Sequence, residues 1–600
     1  MVRATSDKQK HATASSRRPE DDGKNLKTKL RTILRSGAKY TTRHPKHIKI
    51  AKVVSPFFVY LFISCLLLRP PSLSALHNDI FNNSGDPQQF VWFLNWWPYA
   101  LAHHLNPFVT NYAWYPHGYN LTWSTSIAGL ALVMAPVTLL GGAVLSFNLI
   151  ALLAPVLGAL SCFWLIYSIT KRYLPAMLGG YIYGFSTFEM GQILGHPQMY
   201  VNFPVPLIAL LGQLYFTARI RTIPFVILSA VLLAFQFGIS TEVFATFLIF
   251  ATLALVIFYV SSGPKQRHRL TTLSVRFYGS VLVALTLVSP YLYYMAKGYQ
   301  DVPDVVHPLD VYSTNLLNFL IPSPVTLVGG HLASGLSKHF TGNISEEGAY
   351  IGLPFVALLT YIAVRFWRRK YMLALTILLV LIMLASIGPR LRFIGHIGYF
   401  PLPWIIPANL PLIRSALPVR FSMYMFLVMA IIVGMWLSFA TTSRNRKLKH
   451  VAVLLAIVCI VPTSSTYYWQ KEPVPAVLTK ARVASYIPKG SNVIILPYER
   501  NGSSVYYQYA SGMWFTQAGE YVGFVPGDYV NDHVIEAFST GVPDADFTSE
   551  LKRFCIANRV SKVVYTPKIS PALKRAIDSV GWPARTVGSA TVVTVPPASP

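Results

Sequence analysis

Charged residues are scarce in this chain. Only 12% of its 600 residues are Asp, Glu, Lys or Arg, whereas 53% are hydrophobic and the mean hydropathy is +0.44. Soluble globular proteins carry about 25% charged residues. The shortage of charge, together with long apolar runs, excludes an ordinary soluble domain and indicates a chain that is largely solvated by lipid.

Cysteine is also scarce, and its placement excludes two common architectures. Cys65, Cys162 and Cys459 fall in apolar segments, and Cys555 lies in a polar one. The four cysteines form no CxxC pair and no zinc-binding spacing. They predict neither a disulfide framework nor a metal site, and small buried hydrophobic side chains account for them.

Acidic residues are few, since 23 Asp and Glu stand against 51 Lys and Arg and give a formal net charge of +28. In membrane proteins Lys and Arg accumulate in cytoplasmic loops, so this excess does not by itself indicate a nucleic-acid partner, and none is predicted. The first fifty residues are basic and contain no apolar run. This predicts a disordered cytoplasmic tail over residues 1–50 rather than a cleaved signal peptide.

About eleven apolar segments are long enough to cross a bilayer, which takes roughly 20 residues. They are 53–69, 144–169, 174–190, 199–218, 223–239, 243–261, 275–296, 347–366, 371–387, 421–440 and 451–465. The stretch 124–140 is short and contains Pro136. If this stretch does not cross the membrane, the basic short loops all fall on the cytoplasmic side. Residues 70–143, which contain no Lys or Arg, then fall on the opposite side. We therefore predict eleven spans within residues 51–465, with 124–140 as a re-entrant or interfacial helix.

This topology places two long regions outside the cytoplasm. In the first, the loop 70–143, apolar residues at helical spacing over 87–104 and many aromatic residues predict an amphipathic interfacial helix, or two helices if Pro98 interrupts it. In the second, residues 466–600, strand-like and helix-like segments alternate, which predicts an extracytoplasmic α/β domain. The predicted fold class is an α-helical polytopic protein of the inner (plasma) membrane with this C-terminal α/β domain.

Six segments resemble the GT-C superfamily of glycosyltransferases. They are GDPQQFVWFLNWW (85–97), NPFVTNYAWYPHGYNLTWSTS (106–126), YGFSTFEMGQILGHPQM (183–199), FGISTEVF (237–244), LPLIRSALPVRF (410–421) and ILPYERNGSSVYYQYASGMWFTQAGEYVG (495–523). The order of the predicted elements also resembles that superfamily. One span is followed by a long outer loop with an acid just beyond the membrane, and many spans follow the loop. The resemblance covers roughly residues 70–520. It is strongest to uncharacterised bacterial members of the superfamily, which are related to protein mannosyltransferase-like and arabinosyltransferase-like enzymes.

The resemblance implies a membrane glycosyltransferase that moves a sugar from a polyprenyl-phosphate-linked donor to an extracytoplasmic glycan, lipid or protein acceptor. The implied partners are this donor, membrane lipid and an acceptor whose identity the sequence does not give. Such a reaction needs a base for the acceptor hydroxyl and a cation or metal for the leaving phosphate. The first-loop acids form no compact D-x-D pair, so no cofactor is assigned and a divalent cation stays an open alternative.

Two acids of the first loop are the candidate catalytic residues. Asp86 stands where the superfamily places its first-loop acid and is the first candidate for the base, with Asp79 as the alternative. Asp86, Pro87 and Gln89 also have the pattern of a helix N-cap, a proline at the first helical position and a capping-box partner. Capping and catalysis are compatible, because an N-cap carboxylate is held rigidly.

Six further residues are candidates for substrate binding, namely Glu189, Glu242, His196, His117, Arg414 and Arg420. Ionisable groups at membrane depth are costly, which singles out the two glutamates near the outer ends of spans. The two arginines stand on an otherwise cation-poor face and suit a phosphate, because a guanidinium binds phosphate through two N–H groups. Each residue also has a structural alternative, such as a helix N-terminus for Glu242 or snorkelling for the arginines.

A transporter or lipid flippase is the alternative function. Transporters often contain internal repeats and carry ionisable residues or broken helices at the membrane midplane, whereas the acids here are predicted near outer ends and no repeat is evident. A structural or assembly protein that has lost its catalytic residues is a third interpretation.

Overall fold

The computed structural model describes residues 45–83, 85–298, 308–309, 311–393, 396–410, 413–498 and 502–597, with side chains from Val54 onwards. Most of the predicted disordered tail, residues 1–44, lies outside this part. The chain divides into a unit that ends at Pro56, of which the beginning of the first helix is described, and a second unit from Phe57 to Pro600. Apart from the beginning of the first helix, every residue discussed below belongs to the second unit.

Helices dominate the described part of the chain up to Cys459. In chain order the α-helices of this part are α1 Pro45–Leu68, α2 Ala75–Asn78, α3 Asp86–Ala102, α4 Ala128–Gly141, α5 Ala143–Thr170, α6 Tyr173–Gly184, α7 Thr187–Gln192, α8 Pro197–Tyr200, α9 Pro204–Phe216, α10 Thr222–Ile239, α11 Thr241–Ser261, α12 Pro264–Leu287, α13 Ser289–Lys297, α14 Ser334–Ser337, α15 Gly352–Phe366, α16 Lys370–Ser386, α17 Ser422–Ser438 and α18 Ser443–Cys459. Short strands lie between them, namely β1 Asp79–Phe81, β2 Val109–Thr110, β3 Tyr119–Asn120, β4 Arg390–Phe393 and β5 His396–Pro401.

Among the described residues, six helices are long and apolar enough to cross a membrane. They are Ala143–Thr170, Pro197–Phe216, Thr222–Ile239, Thr241–Ser261, Pro264–Leu287 and Pro418–Ser438. Four shorter apolar helices accompany them, namely Val54–Leu68, Ala128–Gly141, Gly352–Phe366 and Lys370–Ser386. The predicted multi-pass helical architecture is confirmed, but the predicted number of eleven spans is not.

Local backbone chemistry shortens several of the predicted spans. The segment 174–190 is divided, because α6 ends at Gly184 and the Ser186 side chain accepts a hydrogen bond from the N–H of Glu189 and so starts α7. The segment 275–296 is divided between α12 and α13, where Pro290 lacks the N–H that a continuous helix needs. Hydropathy reports apolar length and does not detect these capping signals.

Helix α3 is largely buried against other parts of the unit, and its position at the membrane interface stays a prediction. Phe90, Leu94 and Trp97 of the predicted apolar face are buried, and so are Gln88 and Gln89. The helix also continues through its internal proline as one element. An amphipathic pattern therefore reflects a helix packed on both faces here, because other parts of the chain supply partners for its polar side chains.

Helix α4, which contains most of the ambiguous stretch 124–140, has only 14 residues and packs against α3, α5 and α10. It is one of the shorter apolar helices rather than one of the six that are long enough to cross. Its packing against other helices agrees with the condition under which a re-entrant segment is tolerated.

The C-terminal part contains a five-stranded mixed sheet with the strand order β10-β11-β9-β7-β8. The strands from Trp469 onwards are β6 Trp469–Lys471, β7 Asn492–Leu496, β8 Thr516–Gln517, β9 Val560–Tyr565, β10 Ala584–Val587 and β11 Ala590–Thr594. The helices are α19 Ser504–Ala510, α20 His533–Thr540, α21 Phe547–Ala557 and α22 Pro571–Ser579. Strand β7 is parallel to β8 and β9, whereas β11 is antiparallel to β9 and β10.

The first loop and the C-terminal part are joined by backbone and side-chain hydrogen bonds. Strand β1 of the loop pairs antiparallel with β6, which places Asp79 opposite Lys471. The indole N–H of Trp92 in α3 donates to Gln508 Oε1 in α19 at 2.7 Å. The loop is therefore held between the helical part and the sheet.

Glu472 is a buried junction between these two parts. Its carboxylate accepts hydrogen bonds from Asn83 Nδ2 (2.8 Å) and Gln88 Nε2 (3.2 Å) on the loop side. On the C-terminal side it accepts from Ser503 Oγ (2.7 Å) and Tyr507 Oη (3.4 Å). Four donors from two regions thus converge on one side chain that is 5% exposed.

We expect Glu472→Ala to lower the free energy of unfolding by about 2 to 4 kcal/mol, because it removes a buried acceptor that four donors share. Equilibrium unfolding of the purified chain in mixed micelles measures this loss. Glu536→Ala is the matched control, since Glu536 is exposed on α20 and its loss should change stability by less than about 0.5 kcal/mol. Equal losses in the two variants would show that Glu472 does not join the two parts.

Candidate functional site

The interruption between α6 and α9 brings polar residues to the end of the helical bundle. Ser186 caps α7, and α8 begins at Pro197, so His196 lies in the turn between two short helices. The His196 side chain is 14% exposed. The same helix-breaking residues that divide the predicted span therefore create the turn that holds this imidazole.

Asp86 faces His196 from the start of α3. It is the first residue of the helix and not its N-cap, because Gly85 occupies the cap position with a φ of 101° that favours glycine. Its carboxylate instead points at side chains from other regions. Tyr521 Oη donates to Asp86 Oδ1 at 3.1 Å, and His196 Nε2 lies 3.7 Å from Asp86 Oδ2.

Arg420 lies between two buried glutamates. Its Nη1 donates to Glu242 Oε2 at 2.6 Å, while Nε and Nη2 donate to Glu346 Oε1 at 3.0 and 2.7 Å. The side chains of Arg420, Glu242 and Glu346 are 14%, 19% and 2% exposed. The other oxygen of Glu242 accepts from the backbone N–H of Leu417 at 2.8 Å. Two of the five guanidinium N–H groups stay available for a further acceptor.

Glu346 connects the arginine to the segment that holds His196. Gln192 Nε2 at the end of α7 donates to Glu346 Oε2 at 3.0 Å. Burial raises the pKa of Glu346, but Arg420, His196 and the Gln192 hydrogen bond together outweigh it and hold that pKa below its usual value. We call Asp86, His196, Glu346, Arg420 and Glu242 the Asp86–Arg420 cluster.

Unpaired buried polar atoms are concentrated in the segment that contains His196 and Gln192. Within the described part, no hydrogen-bond partner is found for His196 Nδ1, Gln192 Oε1, Glu189 Oε1, Tyr200 Oη or Asn202 Oδ1. Buried polar groups are normally paired, and exceptions concentrate at functional sites. Their concentration within residues 189–202 suits a site that takes a polar ligand.

The cluster unites four of the eight residues predicted from sequence, namely Asp86, His196, Glu242 and Arg420. The other four lie elsewhere or beside it. Asp79 begins strand β1, and Glu189 is buried with its Oε2 accepting from Asn202 Nδ2 at 2.7 Å. His117 contacts Asp528 at 3.1 Å, and Arg414 lies on the turn Ile413–Ser415, which packs against the helix of Glu242.

Glu346 and Tyr521 were not predicted. Glu346 ends a 3₁₀ turn in which Asn343 Oδ1 accepts from the N–H groups of Ser345 and Glu346 at 3.0 and 3.2 Å. A signal for Glu346 is present in the sequence, because it lies a few residues before an apolar segment, where an acid is costly unless it has a partner. Tyr521 carries no comparable signal, since it is one of 34 tyrosines.

The segment that carries Tyr521 is anchored by its neighbours. Gln517 Nε2 donates to Glu520 Oε1 at 2.5 Å, and Trp114 Nε1 of the first loop donates to the Glu520 carbonyl at 3.0 Å. Burial raises the pKa of Glu520 well above its usual value, against the lowering effect of the Gln517 hydrogen bond. The anchors hold Tyr521 against Asp86 from the C-terminal part.

The residues at the cluster do not fit a resident divalent cation. Both oxygens of Glu346 are engaged by Arg420 and Gln192. Within the described ranges, three His, Cys, Asp or Glu ligand atoms come within 4.8 Å of one another only at His533, Asp544 and Glu550, which belong to the C-terminal part. No step of the chemistry is therefore derived through a metal at this cluster.

Comparisons with known proteins bear on the fold. A family model described as a domain of unknown function (DUF6311) matches residues 57–462. No curated protein matches the chain. The crystal structure of the apo oligosaccharyltransferase of Archaeoglobus fulgidus is 14% identical, with a TM-score of 0.51 over 89% of this chain and 72% of that one.

A second solved structure is similar in fold. The cryo-EM structure of the arabinofuranosyltransferase AftD from mycobacteria is 13% identical, with a TM-score of 0.56 over 91% of this chain and 40% of that one. This chain therefore spans less than half of the length of AftD. Both likenesses confirm the GT-C fold that the sequence resemblance predicts, and with the apolar helices they describe a multi-pass membrane protein.

Proposed function

The chain belongs to the DUF6311 family, and from its GT-C fold and the Asp86–Arg420 cluster we propose that it is a membrane glycosyltransferase. The donor is a sugar linked to a polyprenyl phosphate, and the acceptor is an extracytoplasmic glycan, lipid or protein. The observation that carries this proposal is the convergence of a first-loop carboxylate, a histidine and a buried arginine at one place.

The proposed reaction is a displacement at the anomeric carbon of the donor sugar. The acceptor oxygen forms a bond to that carbon, and the bond between the carbon and the phosphate oxygen breaks. The proton of the acceptor hydroxyl passes to the Asp86 carboxylate, which Tyr521 orients through its hydrogen bond to Oδ1. The products are the glycosylated acceptor and the polyprenyl phosphate, which keeps the bonding electron pair.

The remaining cluster residues bind and orient the donor in this proposal. The two N–H groups of Arg420 that are not used by Glu242 and Glu346 stabilise the charge that develops on the leaving phosphate, with Arg414 as a second cation. His196 holds Asp86 and contacts the sugar. Glu189, His117 and the alternative base Asp79 stay candidates from the sequence and have no assigned step.

The proposed orientation places the cluster on the extracytoplasmic side. It follows from the sequence, since the basic short loops lie at the other ends of the spans and the region 70–143 contains no Lys or Arg. In this orientation the N-terminus is cytoplasmic and residues 466–600 are outside. The described fold adds no observation in favour of the transporter alternative.

A transfer assay tests the proposal. The purified full chain is reconstituted in liposomes and supplied with radiolabelled polyprenyl-phosphate sugars and an envelope extract as the acceptor. Transfer of label that depends on the chain supports the function, and its absence with every hexose and pentose donor tried contradicts it. Release of the label into the lumen without covalent transfer would indicate the transporter alternative.

Tyr521→Phe is expected to lower kcat/KM about tenfold and to move the acidic limb of its pH profile to higher pH. A hydrogen bond to a carboxylate favours the charged form, so its removal lets Asp86 take up a proton at higher pH and lose its function as a base there. Initial rates across the pH range measure both effects.

Tyr529→Phe is the matched control for this variant. Its hydroxyl donates to Asn558 Oδ1 at 2.7 Å within the C-terminal part. We expect it to leave the pH profile in place. A lower rate for Tyr521→Phe without a shifted profile would mean that Tyr521 does not act on Asp86.

A further inference from the structure

The segment that includes α15 and α16 has an unusual charge composition. Residues 348–471 contain thirteen Lys and Arg and no Asp or Glu. Four of these cations, Arg365, Arg368, Arg369 and Lys370, lie within six residues of one another where α15 ends and α16 begins. All four side chains are exposed. Their counter-charge must come from outside this segment.

A groove of about 710 Å³ lies among these cations. It is lined by Tyr361, Val364, Arg365, Trp367, Arg368 and Arg369, together with Thr360 and Phe366. Its apolar side chains are well exposed, with Val364 at 71% and Trp367 at 57%. The lining of the groove thus combines exposed apolar side chains that suit an acyl chain with three guanidinium groups.

Aromatic rings hold part of this cationic group in place. The Arg369 guanidinium lies 4.1 Å from the ring centre of Phe439 and 5.4 Å from that of Phe366. Arg368 lies 5.4 Å from the ring centre of Trp367. Stacking on a ring leaves the in-plane N–H groups of a guanidinium available to an anion.

The described residues supply no carboxylate partner for the arginines of the groove. Within the part of the chain that the structure describes, no Asp or Glu lies within ion-pair distance of Arg365, Arg368 or Arg369. A second small groove beside it joins Lys370 and Tyr371 to Phe258 and Gln266, at the end of α11 and the beginning of α12. The turn there is also basic and contains Lys265. The neighbouring turn therefore adds positive charge and no counter-ion.

We propose that this groove binds the headgroup of an anionic phospholipid. The phosphate lies between Arg365 and Arg368, each of which offers a planar fork of N–H donors, and an acyl chain lies along Val364 and Tyr361. The groove takes a lipid rather than free phosphate because its wall is apolar and exposed. The proposal is independent of the glycosyltransferase assignment.

Native mass spectrometry of the full chain in detergent tests this site, with phosphatidylglycerol and phosphatidylcholine as probes. We expect the first molecule of phosphatidylglycerol that binds to each chain to bind about tenfold more tightly than the first molecule of phosphatidylcholine. The double variant Arg365→Gln/Arg368→Gln should weaken binding of phosphatidylglycerol roughly tenfold to thirtyfold and leave phosphatidylcholine unchanged, since each cation near a lipid phosphate contributes about 1 kcal/mol.

The matched control is Arg444→Gln/Arg446→Gln, which removes two exposed charges from the basic start of α18, outside the groove. We expect it to change phosphatidylglycerol affinity by less than about threefold. Equal losses in the two double variants would overturn the groove in favour of diffuse attraction. Complete competition by inorganic phosphate would overturn the assignment to a lipid, and no competition supports it.

Discussion

Asp86→Asn is expected to lower the rate of sugar transfer by about 100- to 10,000-fold, the range that a general base contributes. The substitution keeps the size and shape of the side chain, so Tyr521 can still donate to the remaining oxygen. It removes the negative charge and the capacity to take a proton from the acceptor. Single-turnover rates in liposomes with a labelled polyprenyl-phosphate sugar measure the loss.

Two acid-to-amide controls accompany this variant. Asp546→Asn changes an exposed residue just before α21 whose side chain makes no cap hydrogen bond, and it should leave the rate unchanged. Asp79→Asn tests the alternative base. Full activity of Asp86→Asn, or a larger loss in Asp79→Asn, would show that the base is not Asp86.

Arg420→Gln is expected to lower the free energy of unfolding by about 3 to 5 kcal/mol, because it leaves Glu242 and Glu346 buried without their shared cation. Arg420→Lys should recover only part of this loss, since a single ammonium group cannot bond to both carboxylates as the planar fork does. Equilibrium unfolding in mixed micelles measures both variants.

A double-mutant cycle identifies the cause of that loss. In Arg420→Gln/Glu346→Gln the buried charge of Glu346 is removed with its partner, so we expect the two losses to be non-additive by about 1 to 3 kcal/mol. Arg390→Gln is the control, because Arg390 is exposed on β4 and its loss should cost less than about 0.5 kcal/mol. Additive losses would mean that the ion pair does not hold these elements together.

The sequence predicted the helical membrane architecture but not its exact segmentation. Apolar length identifies a span, whereas Ser186 capping α7 and Pro290 beginning α13 are local signals that a hydropathy window averages out. The pattern of α3 was read correctly as helical. The packing of its polar face was not predicted, because the partners of Gln88 include Glu472, which lies 384 residues further along the chain.

The same reasoning explains which site residues were found. Glu242 and Arg420 were singled out by charge at a predicted outer position, and Asp86 by its place in the superfamily's first loop, so each was found without knowledge of its contacts. Tyr521 contacts Asp86 across 435 residues and is a neutral side chain, so no local property marks it. Arg420 was predicted as a phosphate ligand, and the structure shows that three of its N–H groups already bind carboxylates.

A cryo-EM structure of the full chain with a bound polyprenyl phosphate tests the assigned site most directly. We predict that the phosphate lies beside Asp86, with an oxygen about 3 Å from an N–H group of Arg420 or Arg414. A phosphate bound only at a place remote from both Asp86 and Arg420 would contradict the assignment.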